Sequence, residues 1–266
     1  HGSWQKMGVC EPSWNVPASL PEWKACVLDR AKSMLERDKN HTSVLWWSCG
    51  NESYAGECIR AMSQYFRQTD PSRLVHYEGV FWNREFDDIS DVESRMYAPP
   101  KEVREYLEND PKKPYLLCEY MHDMGNSIGG MESYIRLLDD YPMYQGGFIW
   151  DFKDQAVYKK DVDGTDVLGY GGDFNDRPTD YAFSGNVFAD GSEKPAMQEV
   201  RYWYSRKEER EAQDASNAEN SAEARQQAAE FVQSLTNREN NSDSALTVVH
   251  GDVNLGVKGK DFRIIF

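Results

Sequence analysis

Val44-Leu-Trp-Trp-Ser-Cys-Gly-Asn-Glu52-Ser53 and Tyr115-Leu-Leu-Cys-Glu119-Tyr-Met-His122 are the two stretches on which the fold turns. Each is a short apolar and aromatic run that ends in a glutamate set among polar residues. A run of this length, too short for a helix and too apolar for an exposed strand, reads as a strand buried on both faces of a parallel sheet. Carboxylates where such strands end lie at the face on which α/β barrels keep their chemistry.

The segments between these runs supply the crossovers. Residues 20 to 38 place Leu20, Trp23, Cys26, Val27, Ala31 and Leu35 at helical spacing with charges between them, which predicts an amphipathic helix feeding the strand of residues 44 to 49. A second helix is expected over residues 56 to 67, with Ile59, Met62 and Phe66 on one face, stopped by Asp70-Pro71. A strand near residues 74 to 77, an extended piece ending at Met96-Tyr97, a helix over 101 to 107, the strand of 115 to 119, a helix near 131 to 138 and a strand ending at Trp150-Asp151 follow in turn. Strand, loop and helix repeat, so the strands are parallel with helical connections. An open doubly wound sheet and a closed barrel both satisfy that pattern. Gly169-Tyr-Gly-Gly172 has neither the Lys-Ser/Thr of a phosphate loop nor a dinucleotide-type glycine register, which argues against a nucleotide site.

Composition narrows the class. The 266 residues carry 39% hydrophobic and 13% aromatic side chains, ample for a core, and a formal net charge of −15. Basic residues come in isolated pairs such as Lys112-Lys113, so a nucleic-acid partner is not expected and a neutral ligand suits the charge balance. No apolar stretch reaches the roughly 18 residues of a membrane span, and no charged-then-apolar leader opens the sequence, so no membrane partner and a cytoplasmic setting are expected. Cys10, Cys26, Cys49, Cys58 and Cys118 form no CxxC pair and read as small buried packing groups in a reducing compartment. Asn40-His-Thr and Asn51-Glu-Ser match the glycosylation pattern by chance.

Two carboxyls at the ends of two strands of one barrel are what glycoside hydrolysis asks for. A retaining glycosidase needs them about 5 to 5.5 Å apart, one protonated to assist the leaving oxygen and one ionised to attack the anomeric carbon. Ser48-Cys-Gly-Asn-Glu-Ser53, Cys118-Glu-Tyr-Met-His-Asp-Met-Gly-Asn126 and Gln145-Gly-Gly-Phe-Ile-Trp-Asp-Phe152 resemble the motif series of the bacterial β-galactosidases of glycoside hydrolase family 2, a likeness running from His1 to about Tyr204. The resemblance implies a (β/α)8 TIM barrel, a retaining mechanism on lactose-type β-D-galactosides, Glu52 as general acid/base and Glu119 as the nucleophile that forms the galactosyl-enzyme. It further implies that Asn51 contacts the hydroxyl nearest the reacting carbon, that Tyr97 hydrogen-bonds the nucleophile, that His122 contacts the sugar and that Trp150 is an aromatic platform for it.

His1-Gly-Ser-Trp resembles the segment whose histidine binds magnesium together with the acid/base glutamate, so His1 and Glu52 would be two Mg²⁺ ligands; the acidic third ligand just upstream has no counterpart. Asp180-Tyr-Ala-Phe183-Ser-Gly-Asn186 resembles the stretch that holds a sodium ion through the Phe183 carbonyl and the Asn186 side chain near the sugar, although Val187-Phe188 follows a couple of residues early.

By the same likeness residues 1–204 form a partial TIM barrel, about strands 4 to 8 of eight, with its first three strands lacking a counterpart. Residues 205–244 read as a polar linker, disordered except for a short helix around 222 to 235, because so little apolar surface cannot offset the entropy of ordering. Residues 245–266 read as a β-hairpin resembling the start of the family's carboxy-terminal β-sandwich domain. Exposed barrel edges suggest a complementing barrel segment or a homo-oligomer as partner. A catalytically silent fragment, a non-catalytic carbohydrate-binding module built on the tryptophans, and another family 2 sugar, a β-glucuronide or β-mannoside, are the competing readings.

Overall fold

Pro21–Trp23 make a 3-10 turn that leads directly into α1, Lys24–Asp38. Proline suits that entry because its φ is already helical and its missing N–H is one no helix end satisfies. The computed structural model describes residues 16–125, 127–174, 180–237, 247–250, 255–258 and 263–265. Val27, Ala31 and Leu35 recur every four residues along α1 and are buried, whereas Trp23 and Cys26 face solvent. The buried stripe is thus narrower than the sequence spacing suggested, and Cys26 is not a packing group; Cys49 and Cys58 are buried, Cys118 is half-buried, and all four are free.

The strand and helix alternation follows: β1 (Trp46–Ser48), α2 (Glu57–Thr69), β2 (Leu74–His76), β3 (Glu93–Met96), α3 (Pro100–Glu108), β4 (Tyr115–Tyr120), α4 (Glu132–Asp140) and β5 (Tyr144–Ile149). β1 pairs with β2, and β3, β4 and β5 pair in that order, all in parallel. Between β2 and β3 the extended piece expected from the sequence contains two 3-10 helices, Glu78–Phe81 and Arg84–Ile89. Side chains join the two sheets across this gap. Asp91 donates its N–H to the Val75 carbonyl at 2.8 Å and accepts the Val75 N–H on Oδ2 at 2.7 Å, while Nε2 of His76 meets Oγ of Ser94 at 2.7 Å. Five parallel strands therefore follow one another in sequence order, and they do not close on themselves among the described residues.

Two apolar cores hold the strand ends. Trp47 stacks on Phe66 with ring centroids 5.6 Å apart, among Ala31, Leu35, Val75, Tyr77 and Ile89, and its indole N–H reaches Oδ2 of Asp70 at 3.0 Å. Full burial of such side chains is worth about 1.5–3 kcal/mol each. Val103, Leu107, Tyr115, Leu117, Leu137 and Tyr144 form the second core, beneath α3 and α4. Glu93, buried in β3, is held by the Arg84 guanidinium at 2.7 and 2.8 Å and by Arg95 at 3.1 Å, so its charge is compensated.

After β5 comes an antiparallel hairpin, β6 (Val157–Lys160) and β7 (Asp166–Gly169), that the sequence reading did not single out, and then α5 (Met197–Tyr204). The chain divides into two units at Tyr204/Ser205. In the second, α6 runs Lys207–Asn237, far longer than the short helix expected within a linker. Its Ala, Glu, Gln and Arg are strong helix formers, and i,i+4 pairs such as Gln226 to Glu230 at 2.9 Å add to them, which propensity summed over the segment outweighs the lack of an apolar face. The expected hairpin has a third strand: β8 (Thr247–His250), β9 (Leu255–Lys258) and β10 (Arg263–Ile265) form an antiparallel sheet with β9 in the middle. Among the described residues no helix is long and apolar enough to cross a membrane.

His76 yields a test of the junction between the sheets. Burial pushes its pKa down to about 4, while Ser48 and Ser94 occupy its two ring nitrogens. The unfolded chain takes up this proton near pH 6.5 and the folded chain only near 4, so stability contributed at neutral pH is lost as the pH falls through that window. Urea midpoints measured from pH 7.5 to 4.5 should decline, and His76→Gln should flatten the decline between pH 6.5 and 4.5.

Candidate active site

The carboxyl-terminal ends of β1 to β4 deliver one chemically active side chain each. Glu52 lies in the loop after β1, Glu78 follows β2, Tyr97 follows β3, and Glu119 is the penultimate residue of β4. β3 and β4 are registered so that Met96 lies opposite Glu119, and the ladder continues through the Tyr97 N–H to the Glu119 carbonyl at 2.9 Å. That register lets the Tyr97 hydroxyl donate to Oε2 of Glu119 at 2.8 Å. The His122 ring, three residues beyond, sits 5.9 Å from the Tyr97 ring.

Three of the six non-glycine residues with positive φ among the described residues lie at these ends. Glu52, Tyr97 and Met121 have φ of 50°, 52° and 51°, the left-handed region that a side chain makes costly by about 1–3 kcal/mol per residue. Such conformations persist only where surrounding contacts fix them.

Electrostatics at this end is a contest between burial and donors. The Glu119 carboxyl is raised from the ordinary carboxylate value, chiefly by burial and further by Glu52, while the Tyr97 hydroxyl and His122 pull it down. Glu78, with 3% of its surface exposed, is pushed up to about 7, mainly by burial, against the N–H of Glu52 that donates to its Oε1 at 2.6 Å. Both Glu52 and Glu119 raise it further, so the three carboxyls feel one another. The Tyr97 phenol is raised by burial and by Glu119, and it remains a donor at any ordinary pH. Asn51 is exposed beside Glu52, with its carbonyl accepting the Ser53 hydroxyl at 3.4 Å.

Trp150 follows β5 directly, next to this group. Its N–H donates to the Tyr120 carbonyl at 3.0 Å, its own carbonyl accepts the Asp123 N–H at 2.8 Å, and the Trp150–Asp151 peptide is cis. The Phe183–Asn186 stretch is tied to the segment after Trp150: the Asn186 N–H donates to the Asp151 carbonyl at 2.9 Å. Glu52, Tyr97, Glu119 and His122 thus form one linked group, and Trp150 borders it through β5. Asn186 is joined to Asp151, just after Trp150, Phe183 to Lys194, and His1 lies outside the described residues.

Residues 1–208 match the TIM barrel domain of glycosyl hydrolases family 2. The chain belongs to this family. The β-galactosidase of Clostridium acetobutylicum is 68% identical over 206 residues, 77% of this chain and 23% of that protein. The β-galactosidase large subunit of Latilactobacillus sakei is 65% identical over 208 residues, 77% of this chain and 33% of that protein. A β-galactosidase of Halalkalibacterium halodurans is 64% identical over 206 residues, covering 20% of its length. The chain therefore spans between a fifth and a third of the curated relatives it matches. A solved Bacteroides uniformis β-glucuronidase overlaps 71% of this chain and 26% of its own at 16% identity and a TM-score of 0.49, too slight a likeness to bear on the sugar.

The two cation sites implied by the family 2 resemblance fare differently. Of the magnesium pair only Glu52 lies among the described residues, and these hold no cluster of three or more His, Cys, Asp or Glu placed for a metal. Magnesium seeks six oxygens, so such a site would draw on donors beyond Glu52. At the sodium stretch, Oδ1 of Asn186 is buried and finds no partner among the described residues. The Phe183 carbonyl, however, accepts Nζ of Lys194 at 3.1 Å, and the same ammonium pairs with the buried Asp154 at 2.8 Å. The ammonium already occupies the Phe183 carbonyl and is fixed there by Asp154, so a sodium ion would have to displace it. As arranged, these residues do not fit a sodium ion.

Sequence reasoning missed Glu78 and Lys194. The signal for Glu78 was present, since His76-Tyr-Glu78 follows an apolar run as Glu52 and Glu119 do. Nothing local marks Lys194, whose partners lie 11 and 40 residues away. Lys194→Met leaves Asp154 charged and buried, and equilibrium urea unfolding should register a loss of about 3–5 kcal/mol. The double change Lys194→Met with Asp154→Asn should recover much of it.

Proposed function

We propose that this chain carries the catalytic pair of a retaining β-galactosidase. Glu119 attacks the anomeric carbon while Glu52 protonates the glycosidic oxygen, giving a galactosyl-enzyme; Glu52 then takes a proton from the water that releases the sugar. The observation that carries this reading is the Tyr97 hydroxyl on Oε2 of Glu119 at the strand ends where Glu52 and Glu119 interact. Donation by Tyr97 stabilises the ionised form of Glu119 and orients its second oxygen for attack, offsetting part of the burial that favours the neutral acid. Asn51 and His122 are assigned to the sugar hydroxyls, where contacts that tighten in the transition state raise kcat, and Trp150 to the apolar face of the ring. Galactose as the sugar is supported by the names of relatives at 64–68% identity.

The partner reading rests on the open edges of β1 and β5 among the described residues. Further parallel strands, from the same protein or from a second polypeptide, are proposed to complete the barrel; several relatives are themselves called large subunits. Magnesium at His1 and Glu52 and a cytoplasmic setting belong to the same proposal.

The test is hydrolysis of a chromogenic β-galactoside by the protein, with and without added magnesium, beside Glu119→Gln. We expect turnover that falls at least about 10³-fold in the variant. We also expect a 2-deoxy-2-fluoro-galactoside to leave a covalent sugar on the Glu119 peptide by mass spectrometry. Undiminished turnover in Glu119→Gln, or an adduct on another residue, overturns the assignment. Hydrolysis of a β-glucuronide or β-mannoside in preference to the galactoside overturns the choice of sugar.

A further inference from the structure

We propose that Glu78 is the positioning residue that holds Glu52 in its working orientation, an inference that rests on the role given to Glu52 above. Glu52 sits with φ at 50°, so its backbone must be held from outside. The group that holds it is Oε1 of Glu78, which accepts the Glu52 N–H at 2.6 Å, a close contact for an N–H donor. Its contact is with the backbone that aims Glu52.

The surroundings of Glu78 are built to keep that contact. It opens the 3-10 helix immediately after β2 and is almost wholly buried. Tyr77, just before it, donates its hydroxyl to the Ser53 carbonyl and its N–H to Oγ of Ser90 at 3.0 Å. Gly79, just after it, packs so closely that a Cβ there would lie 2.6 Å from the Ser53 carbonyl oxygen. The segment 77–79 thus clasps the loop 51–53 at three consecutive residues, by a phenol on Ser53, a carboxyl on Glu52 and a backbone approach only glycine permits. Such a clasp holds the strained residue in place, and removing the carboxyl takes away the acceptor that the Glu52 N–H meets.

The consequence is specific to one half of the reaction. An acid that is misplaced by a fraction of an ångström fails first where the leaving group most needs a proton, so the loss grows with the basicity of the leaving oxygen and falls on kcat more than on KM. Glu78→Met, similar in size but without an acceptor, should lower kcat on an alkyl galactoside about 10²-fold, and on a dinitrophenyl galactoside by less than about threefold. Glu78→Gln keeps an acceptor oxygen at the same reach and should return the alkyl galactoside to within about fivefold of the parent. Should the methionine variant not fold, Glu78→Asp, which withdraws the carboxyl by one methylene, should show the same dependence on leaving group.

Thermal melts establish folding, and Glu119→Gln is measured beside these variants. Loss of activity in Glu119→Gln with parental leaving-group dependence in the folded Glu78→Met or Glu78→Asp overturns the positioning role alone. A Glu78→Gln protein as impaired as Glu78→Met overturns it too, because an acceptor without charge would then not suffice. Full activity in Glu119→Gln overturns the underlying assignment of the catalytic pair instead.

Discussion

The parallel pairing of β3 with β4, which sets Met96 level with Glu119, is the constraint on which the site depends. A shift of one residue in that register would turn every side chain of one strand to the other face and carry Tyr97 away from Glu119. The register is held by burial from beneath, through Tyr115, Leu117 and Val103, and by the compensated charge of Glu93 at the start of β3. Packing at one end of the strands holds the ladder as far as Arg95 and Leu117, and a one-residue shift past Cys118 then brings Met96 level with Glu119. The same logic links β1 to β2, where Trp47 and Val75 share a core and the loops beyond them meet through Glu78 and Tyr77.

Three carboxyls within electrostatic reach of one another are costly, and the fold offsets that cost unevenly. Glu119 receives a phenol, Glu78 a backbone N–H, and His122 adds its own favourable influence on Glu119. Strain adds to the expense, since Glu52, Tyr97 and Met121 all occupy the left-handed region. Destabilising features concentrated at strand ends, over a well-packed base, are how a rigid scaffold keeps reactive groups from relaxing into a more comfortable arrangement.

Much of this was legible in the sequence because the signals were local. Buried parallel strands reveal themselves as short apolar runs, and the helices over residues 24–38, 57–69, 100–108 and 132–140 by their spacing. Glu52 and Glu119 stood out because each ends such a run. What the sequence concealed depends on distance. The pairing of Lys194 with Asp154 and the Phe183 carbonyl joins residues far apart, and no pattern of neighbours announces it. The contact of Glu78 with Glu52 spans two strands, and its importance shows only once the positive φ of Glu52 is known. α6 exceeds the short helix expected for a different reason: it lacks an apolar stripe, and its strong helix formers carry it.

The central claim is that these strand ends hold a nucleophile and an acid/base on one sugar, and the stereochemistry of the product tests it most directly. Proton NMR of the first sugar released from a β-galactoside, read before mutarotation, should show β-galactose, since two displacements at the anomeric carbon restore its configuration. Release of α-galactose would mean a single displacement by water, and would contradict the role assigned to Glu119.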